Sequence, residues 1–152
     1  MDYHFKFATG GNIPAGAPSH GREADGTPLW VARSPARAVS TQIPGIHPGK
    51  VRPAFGGALI PFGGREVLAR DYEVLMEPGI WVAGSNGQVP DGAVVCGREE
   101  NGDPLFVARA NLNGGIHPGK LRFAFGRALI GFGLKEVPVQ SYEVLTSNVD
   151  RT

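Results

Sequence analysis

Apolar residues along this chain gather in short runs separated by turn formers. Leu29-Trp30-Val31-Ala32 and Leu105-Phe106-Val107-Ala108 each follow a dipeptide suited to a tight hairpin, Asp25-Gly26 and Asn101-Gly102. In the tightest hairpins both central residues need positive φ, which such pairs tolerate. Ala58-Leu59-Ile60 and Tyr72-Glu73-Val74-Leu75 read as further short strands, with counterparts beginning at Ala128 and Tyr142. His-Pro-Gly-Lys, at residues 47–50 and again at 117–120, reads as a turn, because proline fixes φ and glycine frees it. No stretch carries a helical period flanked by caps. The pattern predicts an all-β fold of short antiparallel strands.

The same pattern occurs twice. Gly21-Arg-Glu-Ala-Asp-Gly-Thr-Pro-Leu-Trp-Val-Ala-Arg33 returns as Gly97-Arg-Glu-Glu-Asn-Gly-Asp-Pro-Leu-Phe-Val-Ala-Arg109, identical at 9 of 13 positions and offset by 76. From Ile46 to Leu75, 20 of 30 residues match Ile116 to Leu145, now at an offset of 70. The difference places six extra residues of the first copy between Ser34 and Gly45, a stretch holding Pro35 and Pro44 that reads as a loop. The copies then run over about 1–76 and 77–152, joined at Glu77-Pro78-Gly79. A unit of this size closes a core poorly by itself. The expectation is therefore two pseudo-symmetric tandem repeats sharing one compact core, as one structural unit.

Composition sharpens this reading. The 152 residues include 23 glycines and 13 prolines, well above common usage of about 7% and 5%, beside ordinary levels of Val, Leu, Ile and Phe. The formal net charge of +1 gives no broad electrostatic footprint for nucleic acid or an anionic membrane. Cys96 is the one cysteine and answers to His20 in the first copy, so thiol chemistry is not part of the repeated design. No apolar run approaches the ~18 residues that would span a membrane. The N-terminus lacks the plan of a signal peptide. A soluble protein, cytoplasmic or exported by a non-classical route, is expected, with no membrane insertion and no nucleic-acid partner.

Polar residues that match between the copies carry the candidate chemistry, because exposed positions drift unless something holds them. They are Arg22/Arg98, Glu23/Glu99, Arg33/Arg109, His47/His117, Lys50/Lys120, Arg52/Arg122, Glu66/Glu136 and Glu73/Glu143. Glu23 and Lys50 both flank expected turns, where a scaffold presents side chains outward. A carboxylate beside an ammonium can clasp vicinal hydroxyls, the acid accepting hydrogen bonds and the lysine donating them. A salt bridge within the turn is the competing reading. Glu66 and Glu73 read as solvated or paired with Arg65 and Arg70, and His47 as a turn residue. No phosphate loop, zinc spacing, calcium loop or nucleophile motif is present, so no catalytic residue, metal or cofactor is assigned. Glu23 with Glu66 has the composition of a glycosidase pair, yet duplication of a small site suits a multivalent binder better.

Gly-Arg-Glu, Pro-Leu-Trp-Val-Ala-Arg, His-Pro-Gly-Lys, Phe-Gly-Gly-Arg-Glu-Val and Tyr-Glu-Val-Leu, in this order, make the chain resemble the DM-nine repeat family, and within it the two-repeat mannose-binding lectins. The resemblance covers nearly the whole chain. It implies an all-β fold of two repeats, calcium-independent binding of mannose or mannose-containing glycans, and a homodimer. It also implies that sugar is held by an acidic residue two places after the glycine and by the lysine of Pro-Gly-Lys. Those motifs fall on Glu23 with Lys50, and on Glu99 with Lys120. Members of the family carry Asp where this chain has Glu, and the extra methylene moves the carboxylate by roughly 1.5 Å. The resulting expectation is a lectin with two equivalent sites serving glycan or microbial recognition. A structural or protein-interaction module is the alternative.

Overall fold

The structure, a computed structural model, describes residues 3–34 and 43–147. The loop expected over Ser34–Gly45 therefore lies mostly outside the described residues. The first copy supplies β1 (Phe5–Thr9), β2 (Gly21–Arg22), β3 (Pro28–Arg33), β4 (Pro48–Arg52), β5 (Gly57–Phe62), β6 (Arg65–Ala69) and β7 (Asp71–Leu75). The second supplies β8 (Ile80–Ser85), β9 (Val95–Arg98), β10 (Pro104–Leu112), β11 (Gly115–Leu121), β12 (Ala128–Phe132), β13 (Lys135–Val139) and β14 (Ser141–Thr146). Two single 3-10 turns, Pro53–Phe55 and Phe123–Phe125, are the only helical segments among the described residues. None is long and apolar enough to cross a membrane. The fold is all-β.

The strands form one antiparallel system with the order β1-β7-β3-β4-β5-β6-β13-β12-β11-β10-β14-β8. The copies meet at its centre, where Arg65 of β6 pairs with Lys135 of β13. They meet again through β2, which pairs with β3 on one side and with β11 on the other. That second contact closes eight strands, β2-β3-β4-β5-β6-β13-β12-β11, into a barrel. Closure removes exposed strand edges around the ring. The crossing is made twice. Ile116 pairs with Arg22, and Ile46 pairs with Arg98 through two backbone bonds of 2.8 Å. A Cβ at Gly21 would collide with the Ile116 carbonyl, and one at Gly97 with the Ile46 carbonyl. The glycine of each Gly-Arg-Glu motif is thus set by close approach of the other copy's strand.

Two local expectations are corrected. The hairpins at Asp25-Gly26 and Asn101-Gly102 are not two-residue turns with both centres at positive φ; only Gly26 and Gly102 have it. The turn instead runs from Glu23 to Thr27, closed by Glu23 N–H to Thr27 O at 2.8 Å, with Asp25 Oδ1 accepting from Thr27 N–H at 2.9 Å. The second copy repeats this from Glu99 to Asp103. His-Pro-Gly-Lys is not a turn at all. Pro48 opens β4, and Pro48, Gly49 and Lys50 pair with Arg33, Ala32 and Val31 of β3. Proline is tolerated as the first residue of a strand, and the adjoining Ser34 completes the ladder by donating its N–H to the His47 carbonyl.

The buried apolar residues are divided more finely than one shared core. One cluster, including Ile43, Val51, Ile60, Tyr72 and Val74, belongs to the first copy. A second, including Leu121, Ile130, Tyr142 and Val144, belongs to the second copy. The third draws on both: Val31 and Leu75 pack with Cys96, Val107 and Leu145, under Phe5 and Trp81. Arg33 and Arg109 brace this joint region. Each pairs with a glutamate of its own copy, Glu73 and Glu143, and each donates across to the other copy, to the carbonyls of Cys96 and His20.

Because β6–β13, β2–β11 and the joint cluster all need both copies, a fragment of residues 1–76 should lack a cooperative thermal transition. Calorimetry on that fragment beside the full chain checks this. A sharp endotherm in the fragment would mean that one copy folds alone.

Candidate functional site

Lys50 lies in the middle of β4, between Val31 of β3 and Leu59 of β5. Strand alternation turns Lys50 and Arg52 to one face and Val51 to the other, into the first copy's core. Lys120 holds the same place in β11, between Val107 and Leu129. Neither lysine is an outward-facing turn residue: each is only 3% exposed. This corrects the reading of Lys50 and Lys120 as surface groups. It follows from His-Pro-Gly-Lys being strand, since a strand residue between two neighbours must point to one side of the sheet.

A buried ammonium needs partners, and much of its partnership comes from the other copy. Lys50 Nζ stands 2.9 Å from His117 Nδ1, and Lys120 Nζ stands 3.0 Å from His47 Nδ1. His47 Nε2 meets the Pro44 carbonyl at 2.9 Å, a group that can only accept. The single proton of the neutral ring therefore sits on Nε2, Nδ1 accepts, and Lys120 is the donor. His117 Nε2 likewise faces an acceptor, Glu23 Oε1, at 3.8 Å.

Around each lysine stand two carboxylates of its own copy. Glu66 Oε2 is 3.9 Å from Lys50 Nζ, and Glu136 Oε2 is 3.6 Å from Lys120 Nζ. Glu23 and Glu99 form the rim. Their side chains are 20% and 21% exposed, and they pair with Arg52 and Arg122 at 3.1 and 3.5 Å. Arg52 Nε lies close to Glu23 but makes no hydrogen bond, so the contact is ionic. Aromatic rings stand near each ammonium. Lys50 Nζ is 5.4 Å from the centre of Phe132 and 6.0 Å from that of Phe55; Lys120 Nζ is 5.3 Å from Phe62 and 5.9 Å from Phe125. Each cleft thus combines Glu, Lys, Arg, Glu and Phe of one copy with His and Phe of the other. Beside the second cleft, Glu99, Glu100, Asn101 and Arg122 line an open depression of about 430 Å³, within the span of about 300–1,000 Å³ usual for small-molecule sites.

Electrostatics follow the burial. Desolvation lowers both lysine pKa values from the ordinary 10.5, while neighbouring carboxylates, Glu66 and Glu23 for Lys50, Glu136 and Glu99 for Lys120, oppose the shift. His47 and His117 fall to about 4, first from burial and then from the adjacent lysine. His20, whose Nδ1 accepts from Val31 N–H while Nε2 faces the Glu77 carbonyl, also falls to about 4, chiefly from burial.

The four residues singled out in the sequence thus fall into two clefts, Glu23 near Lys50 and Glu99 near Lys120. Sequence reasoning missed the histidines, read as turn residues, and Glu66, read as solvated or paired with Arg65. Glu66 is 4% exposed at the side chain and points at Lys50. Glu73 pairs with Arg33, not Arg70. The available signal was polar identity between copies, which marked Glu66/Glu136 and His47/His117 alongside the rest.

A family model described as the DM9 repeat matches residues 35–139 of the chain. Among curated proteins none matches it.

Two stability predictions come from the burial of these groups. Each of the three histidines is neutral in the fold, but in the unfolded chain takes a proton below about pH 6.5. Between about pH 6.5 and 4 the unfolded state binds more protons, so stability is full above that window and is lost as pH falls through it. Urea unfolding at pH 7.5 and 4.5 should show a loss of several kcal/mol, with about 8 kcal/mol as the ceiling for three histidines over about two pKa units each, one unit being worth about 1.4 kcal/mol. Lys50→Ala, which strands Glu66 and His117, should cost about 3–5 kcal/mol, the scale of breaking a buried ion pair. Lys50→Met with Glu66→Gln should recover part of that in the same assay.

Proposed function

The chain belongs to the DM9 repeat family, a family associated with carbohydrate binding, and from that premise we propose that it is a lectin with two clefts for mannose-type sugars. The observation that carries the proposal is the pairing of a partly exposed rim carboxylate with a buried ammonium in each cleft. Glu23 stands over the Lys50 cleft, and Glu99 over the Lys120 cleft. A carboxylate accepts hydrogen bonds from two hydroxyls, while an ammonium donates to their oxygens. Vicinal hydroxyls of a pyranose present both functions on one edge. His117 and His47 hold the lysines in place, so a sugar meets donors whose ordering is already complete. The phenylalanine rings offer apolar surface to the ring C–H groups.

A single cleft with few hydrogen bonds binds weakly, on the order of millimolar, or about −4 kcal/mol. Useful retention then comes from two sugars engaged on one surface, where linkage raises avidity by ~10²–10⁴ without new contacts. Dimerisation would double the number of clefts again. Dense mannose-bearing surfaces, such as those of microbes, fit that requirement. The reading treats residues 1–76 and 77–152 as one binding unit, because each cleft takes side chains from both. The chemistry uses no bound metal and no catalytic step.

One observation favours a second reading. Lys50 and Lys120 are nearly as buried as core residues, and the Lys–His–Glu network would serve equally as a polar clamp between the copies of a structural or protein-interaction module.

Titration with methyl α-mannoside separates the two. In the lectin, Glu23→Gln with Glu99→Gln should weaken binding roughly tenfold or more, because each amide loses the charge and one acceptor, and a melting curve of the variant confirms that it is folded. Glu23→Asp with Glu99→Asp should keep binding. Absence of binding by the unaltered protein, with a glycan array equally silent, would leave the clamp.

A further inference from the structure

We propose that the two clefts are unequal, and that in the first the buried Glu66 carboxylate is a further ligand contact, taking a third sugar hydroxyl against Lys50. This rests on the lectin reading and goes past it, since matched sequences imply matched sites.

Glu66 Oε1 accepts from Leu134 N–H at 2.8 Å, but Oε2 is buried without a hydrogen-bond partner. With 4% of the side chain exposed, such an oxygen normally finds a donor. Lys50 Nζ, at 3.9 Å, is too far to be that donor directly. The gap suits one hydroxyl between them, its oxygen accepting from Nζ and its hydrogen donated to Oε2, at about 2.8 Å from each. Glu23, on the rim above, holds the neighbouring hydroxyls.

Glu66 reaches this position because residue 131 is glycine. A Cβ there would lie 2.7 Å from Glu66 Oε2 and 2.9 Å from its Cγ, so the carboxyl occupies space that any other residue would fill. By the repeat, the corresponding residue beside the second cleft is Pro61, which carries that carbon. Glu136 accordingly stands further out. Its side chain is 14% exposed against 4% for Glu66, and it accepts a longer bond, 3.2 Å, from Gly64 N–H. Solvent reaches Glu136, so a ligand hydroxyl there exchanges for water and gains little. At Glu66 a ligand hydroxyl gives a hydrogen bond to an oxygen that has only a long ion pair with Lys50. The first cleft should therefore prefer pyranosides with three adjoining hydroxyl groups and bind them more tightly than the second.

Site-resolved NMR titration of the intact protein with methyl α-mannoside tests this, following the Glu23 and Glu99 turn amides separately. The Glu23 turn should saturate at roughly tenfold lower sugar, the scale of one added hydrogen bond to a charged group. Glu66→Gln and, independently, Gly131→Ala should bring the first cleft to the level of the second. Pro61→Gly should bring the second towards the first, and thermal unfolding of each variant confirms that it is folded. Equal affinities in the unaltered protein, or a difference that survives both Glu66→Gln and Gly131→Ala, would overturn the inequality and leave the lectin reading standing. No response at either turn would overturn both.

Discussion

The structure turns on a reciprocal hydrogen bond: the lysine of each copy donates to the histidine of the other. An ammonium inside a barrel is costly unless its protons are satisfied. The groups that satisfy it here are a neutral imidazole from across the copy boundary and carboxylates from its own side. Several features follow together. The histidines must stay unprotonated, which burial and the adjacent charge ensure. The strands carrying Lys50 and Lys120 must lie close to those carrying His117 and His47, which the crossings at Ile46–Arg98 and Ile116–Arg22 achieve. Gly21 and Gly97 are the residues that allow those crossings.

Such a network is an uneconomical way to hold two copies together. Well-packed apolar residues of similar volume are often as stable as a buried ion pair or more so, and the joint cluster around Val31, Cys96 and Val107 already provides apolar contact. Retaining two ammonium groups, four carboxylates and two imidazoles in mirrored positions makes chemical sense if the charges face something. On the proposed lectin reading, the rim carboxylates, a fifth exposed over lysines almost wholly buried, would meet a polar, uncharged ligand with both donors and acceptors, such as a sugar. The same network fixes the lysines, so rigidity of the clefts and cohesion of the barrel have one cause.

Much of the fold was legible in the sequence, because it rests on local signals. The runs at Leu29, Ala58 and Tyr72 and their counterparts became strands, and the turn-rich composition excluded helices. The errors came where tertiary contact overrode a local signal. His-Pro-Gly-Lys has turn chemistry, but Pro48 opens a strand and Gly49 packs against the neighbouring backbone of β5, so Lys50 points inward rather than out. Pairings made by sequence proximity failed for the same reason. Glu66 was matched with adjacent Arg65, whereas strand geometry sends neighbours to opposite faces. That the second copy's histidine completes the first copy's cleft could not be read from either repeat alone, since nothing within one copy names its partner. Identity of polar residues between copies marked the groups that gather around the two lysines, along with others that do not, and their grouping needed three dimensions.

Each lysine is held by a neutral histidine of the other copy, protonated at Nε2 and accepting at Nδ1. Long-range proton–nitrogen correlation spectra of the histidine rings report both tautomer and charge. At pH 6 the rings of His47 and His117 should be neutral Nε2–H tautomers, and Lys50→Met should perturb Nδ1 of His117 while leaving His47 unchanged. Rings that titrate near pH 6.5, or a Lys50→Met spectrum in which His117 does not move, would contradict it.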